Sequence, residues 1–127
     1  MSEEGLAKVL SALKDKDIIK PQDLIAWYGT LLRRPFAEEA IWNWAQTEWD
    51  WIKQSLGGDM SYVAFIIIPS RIFKSQQRLD EYQAFFETDL TNLALQRDIA
   101  MGIKSIAARI QMVEKNKAAV EKVLADY

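Results

Sequence analysis

The chain has 127 residues, half of them apolar and 27% charged, enough for one domain with a sizeable core and a globular balance. It contains neither histidine nor cysteine, which excludes a zinc site built from those ligands, any Ser-His or Cys-His dyad, and any disulfide. The net charge of −2, without a polybasic run, argues against a nucleic-acid partner. The acidic opening Met1-Ser2-Glu3-Glu4 is unlike a secretory leader. The longest apolar run, Val63–Ile68, is too short to cross a bilayer, so no membrane insertion is expected.

Ser2 is placed to cap a first helix, with Glu3 and Glu4 favourable in its first turn. Leu6, Val9, Leu10 and Leu13 follow at amphipathic spacing. After the polar break Lys14–Asp17, Pro21 fits the first turn of a second helix, whose buried face is expected from Leu24, Ile25, Trp27, Tyr28, Leu31 and Leu32. Gly29 suggests a close helix contact, and Arg33-Arg34-Pro35 ends the element.

A single third helix is expected from about Phe36 to Ser55, closed by Gly57-Gly58. It carries Ile41–Leu56, IWNWAQTEWDWIKQSL, which holds Trp42, Trp44, Trp49 and Trp51. Residues seven apart lie nearly above one another on a helix, so Trp42 pairs with Trp49 and Trp44 with Trp51 in two stripes. The apolar arc spans about half the circumference, wider than the roughly 100° stripe of a surface helix, and needs two neighbours to cover it. Core packing is the plain reading of these rings; an aromatic platform for a small-molecule sensor is the sharper one.

Met60–Phe73 reads as a fourth helix despite the β-branched Ile66–Ile68, since a strand there would stand alone among helices. Pro69 should kink or split it. Ser75 is a good cap for a fifth helix with Leu79, Tyr82, Ala84, Phe85 and Phe86 on its apolar surface, and Thr88–Asn92 reads as a loop. The longest periodic segment runs from Leu93 to Lys115, with Leu95, Ile99, Ile103, Ile106, Ile110 and Val113 in one stripe. Asn116 is expected to break it before a short closing helix with Val120 and Leu124. The pattern is all-α: about seven helices with connections short enough for antiparallel neighbours.

Reactive chemistry is sparse. Glu38/Glu39 and Glu48/Asp50 do not face each other on a helix and read as solvated surface. Gly57-Gly58 lacks the lysine of a phosphate loop. Arg97, Lys104 and Lys115 form a basic row along one line of the long helix, either an ordinary wet face or a surface that attracts a carboxylate. Arg109 lies near the edge of the isoleucine stripe, half-buried, where an arginine takes a carboxylate or carbonyl partner.

The order of the motifs is more specific than any one of them. Gln22-Asp23, Trp42, Trp49-Asp50, Ser75, Leu79, Phe85-Phe86, Ile106, Ile110, Glu114 and Asn116 fall in sequence. Together they resemble the C-terminal helical domain of M1-family zinc aminopeptidases, the aminopeptidase N group. Ile41, Trp44, Glu48, Ala107, Arg109 and Met112 depart from that family's pattern. The resemblance implies a HEAT/armadillo-like α-α superhelix of antiparallel helices. It implies a single helical domain over residues 1–127, the C-terminal part of a larger enzyme. It further implies no cofactor in this chain, with zinc and its glutamate base in an upstream catalytic domain. That domain and the peptide substrate are the implied partners, and the cytoplasm the expected compartment. The inherited role would be to cap the catalytic chamber and contact the distal part of the peptide, with Arg97, Lys104 and Arg109 as candidates for meeting it. The competing expectation is a free-standing helical scaffold that binds a peptide or partner protein in its groove.

Overall fold

The computed structural model describes residues 3–15, 17–56 and 61–126, and these contain helices, turns and no strand. The proposed cap Ser2 and terminator Gly57-Gly58 lie outside the described residues. Seven α-helices follow one another: α1 (Glu3–Ala12), α2 (Pro21–Leu32), α3 (Glu38–Thr47), α4 (Trp49–Leu56), α5 (Ala64–Ile72), α6 (Gln76–Phe86) and α7 (Leu93–Asp126). The all-α class is therefore as expected. The chain divides into two compact units, Met1–Ile68 and Pro69–Tyr127, with the boundary inside α5.

In the first unit, α1 buries Leu6, and Leu13 is buried one residue beyond its end. Asp15 shapes the link to α2. Its carboxylate accepts from the Asp17 amide at 3.0 Å, and its carbonyl from the amides of Ile18 and Ile19. Lys20 is extended, as the residue before a proline must be, and α2 starts at Pro21. Leu24, Tyr28, Leu31 and Leu32 are buried, but Trp27 is 40% exposed, against expectation. On the helical wheel Trp27 falls one step beyond Leu31, outside the arc that Leu24, Tyr28 and Leu32 share. Gly29 makes only an ordinary close approach: a Cβ there would sit 3.8 Å from the Ile68 methyls and 3.0 Å from the flexible Arg33 guanidinium.

The tryptophan stretch is two helices rather than one. Glu48 leaves the helical region at φ −100° and ψ 15°, between α3 and α4. Two side chains ahead of it donate to carbonyls four residues back, Thr47 Oγ1 to Asn43 at 2.9 Å and Gln46 Nε2 to Trp42 at 3.4 Å. Back-bonding of the threonine kind bends helices. The two tryptophan stripes nevertheless keep distinct fates. Trp42 and Trp49 are buried, and Trp49 meets Tyr62 edge-on at 6.1 Å. Trp44 and Trp51 are half-buried and meet each other edge-on at 6.4 Å.

A 3-10 turn at Ser61–Val63 leads into α5, so Ile66–Ile68 is helical as expected. Phe65 and Ile66 are buried, and Phe65 stacks 4.4 Å from Tyr28. Pro69 sits inside α5 without splitting it.

In the second unit, Ser75 caps α6 as predicted, its Oγ accepting from the Arg78 amide at 3.2 Å. Leu79, Tyr82 and Phe86 form the buried face, whereas Ala84 is exposed. Residues Thr88–Thr91 form a 3-10 turn where a loop was expected. Asn92 then starts α7, its side chain accepting from the Ala94 amide at 3.0 Å. The helix does not stop at Asn116; it runs unbroken for 34 residues to Asp126. The count of seven thus matches expectation because one expected helix divides and two others merge. Leu95, Ile99 and Ile106 are buried, while every residue from Gln111 to Ala125 is exposed.

Candidate functional site

Arg97 and Lys104 stand exposed on α7, seven residues and about 10 Å apart along its axis. Lys115 continues the line, also exposed. These side chains project a row of positive charge into solvent, a surface able to attract a carboxylate at long range and to donate to it on contact.

Arg109 is not part of that row. It lies about a third of a turn round the helix from Arg97, and its Nη1 donates to the carbonyl oxygens of Ser70 at 3.0 Å and Phe73 at 2.6 Å. The carbonyl partner expected for it is therefore present. The last carbonyls of a helix have no intrahelical donor, and a cation is favourable beside them. Arg109 thus terminates α5 electrostatically, and the exposed cationic surface consists of Arg97 and Lys104 with Lys115.

Tyr82 was read only as apolar surface. Its hydroxyl lies against Gly102, where a Cβ would collide with it and come within 3.0 Å of Ser70 Cβ. Burial pushes its pKa well above the ordinary 10.0, and the Asp98 carboxylate adds to the rise. The phenol stays protonated across the neutral range and serves packing rather than base chemistry.

The first unit offers two further features. Lys14 Nζ binds Glu48 Oε2 at 2.9 Å and lies 5.4 Å over the Trp51 ring, so the half-buried tryptophan face is already occupied by an ion pair and a cation–π contact. The second, not anticipated from sequence, is an open groove of about 500 Å³. It is lined chiefly by Leu6, Ala7 and Leu10 of α1, by Ala40 of α3 and by Phe36 in the turn before it, with Glu3 and Glu39 alongside. Its sequence signal was the alanine at one position of each helix, which leaves room between larger side chains.

Among the described residues no cluster of three or more acidic, histidine or cysteine side chains could hold a metal ion, and the whole chain lacks histidine and cysteine. The described residues do not fit a zinc ion.

An all-α chain with a cationic helix face belongs to the class of helical modules. Residues 2–108 match the model of the ERAP1-like C-terminal domain. Aminopeptidase N of Lactococcus lactis subsp. lactis is 56% identical over 126 residues, 99% of this chain. Aminopeptidase N of Lactobacillus delbrueckii subsp. lactis is 40% identical over 97% of it. The mitochondrial aminopeptidase 2 of Saccharomyces cerevisiae (strain ATCC 204508 / S288c) is 28% identical over 94%. The chain belongs to the ERAP1-like C-terminal domain family. It spans 15% of the length of the two bacterial relatives and 12% of the yeast one.

Proposed function

We propose that this chain is the non-catalytic C-terminal helical part of an M1-type zinc aminopeptidase, an enzyme that removes N-terminal amino acids from peptides. In this reading an upstream domain of the same polypeptide carries the zinc, its ligands and the general base. The present chain caps the catalytic chamber, and Arg97 and Lys104 meet the distal, carboxylate-bearing part of the peptide. Arg109 supports that surface by fixing α7 against the end of α5. The observation that carries the reading is the 56% identity to an aminopeptidase N across 99% of the chain.

The test separates long from short substrates in the complete enzyme. Arg97→Glu with Lys104→Glu should raise KM for a peptide of about ten residues roughly threefold to tenfold, the effect of losing two solvent-exposed charge contacts. Hydrolysis of an aminoacyl chromogenic substrate, too short to reach α7, should be unchanged. Equal losses on both substrates, or none on either, would remove the two side chains from the peptide path. The purified chain alone, supplied with zinc, should show no turnover above buffer; zinc-dependent hydrolysis by it would overturn the assignment.

A further inference from the structure

The stripe that buries Leu95, Ile99 and Ile106 does not end where the packing ends. Continued along the same side of α7 it runs through Val113, Val120 and Leu124, with Met112 and Val123 beside them. These five residues are 44% to 69% exposed. A helix that keeps its apolar side in register for four turns beyond its last covered residue has a surface shaped for a partner. Covering it would also hold the last turns of α7 against fraying.

Two facts indicate which partner. The exposed stripe amounts to on the order of 500 Å², at the upper end for an uncovered patch and short of the roughly 800 Å² per partner of a stable free-standing interface. A second copy of the chain would therefore bind weakly through it. A surface on the same polypeptide needs far less area, because tethering holds it at millimolar effective concentration. The relatives that match 99% and 97% of this chain are more than six times its length, so most of such a polypeptide lies outside the present structure.

We propose that Met112, Val113, Val120, Val123 and Leu124 form a docking stripe for an apolar surface on the remainder of the same, longer polypeptide, an inference that rests on the reading given above. Docking would fix the far end of the helix that carries Arg97 and Lys104.

Amide hydrogen exchange over residues 112–124 tests this, compared between the isolated chain and the complete polypeptide. Exchange should be slowed about tenfold or more in the complete protein, as for a segment moved from fraying to packed. Val120→Glu with Leu124→Glu should restore fast exchange there while leaving the helix content of the isolated chain unchanged. Fast exchange in a complete protein that still cleaves an aminoacyl chromogenic substrate would overturn the docking stripe and leave the aminopeptidase reading intact. A complete protein that cleaves nothing would count against that reading alone, since protection is measured independently. Concentration-dependent protection in the isolated chain would overturn the proposal in favour of a second copy.

Discussion

Residues 36–56 and 93–126 are both long segments of helical periodicity, and they end up opposite. The first has no proline or glycine, yet it divides at Glu48 into α3 and α4. The second contains Asn116 and a glycine, yet α7 is continuous. In the tryptophan stretch Gln46 and Thr47 spend their side-chain donors on carbonyls one turn back, and the Lys14 ammonium holds the Glu48 side chain. In α7 Asn116 costs at most about 0.7 kcal/mol and Gly102 about 1 kcal/mol, too little to stop a helix already nucleated over several turns. Helix continuity is thus set by what competes for the carbonyls and what anchors the turn, with propensity a weaker influence.

That contrast can be sharpened by substitution. The largest effect should come from Trp42→Ala in α3, about 3–5 kcal/mol by denaturant unfolding, since the ring is fully buried. Trp44→Ala, at a half-buried position, should cost clearly less; equal costs would mean that the two stripes are not sorted by burial. Next comes Gly102→Ala in α7, expected to destabilise by about 1–3 kcal/mol through overpacking against the Tyr82 hydroxyl. Tyr82→Phe in that background should recover part of the loss, and no recovery would place the clash elsewhere. The smallest effect belongs to Asn116. Replacement by Ala should change stability by no more than about 0.7 kcal/mol. Asn116→Pro should remove far-UV helical signal from the last turns of the isolated chain and move its unfolding free energy by less than about 0.5 kcal/mol, because every residue from Gln111 to Ala125 is exposed.

Much of the fold was legible because period and punctuation agreed. Pro21 marks a helix start by its fixed backbone angle and Ser75 by its side-chain oxygen, and Leu95, Ile99 and Ile106 declare a buried side by spacing alone. Trp27 was misplaced because apolar character says nothing about where a covering neighbour stops. The break at Glu48 follows a hydrogen bond from Thr47 to Asn43 that leaves no mark on the hydrophobic pattern. For the candidate site, the charge row of Arg97 and Lys104 could be read from helical geometry. The partners of Arg109, being backbone carbonyls 36 and 39 residues earlier, could be anticipated in kind but not in place. The groove between α1 and α3 comes from elements distant in sequence, and its only local trace is one alanine on each helix, Ala7 and Ala40.

The Arg109 contact also couples events in time. The carbonyls of Ser70 and Phe73 are made well before Arg109 in a growing chain, and they lie where α5 ends. Until α7 arrives, those oxygens lack the guanidinium contact. The contact that fastens the end of α5 to α7 thus closes across nearly forty residues and is not a local one. A nascent second unit that stops short of Arg109 has its helices in outline but lacks the bond that fastens the first of them to the last.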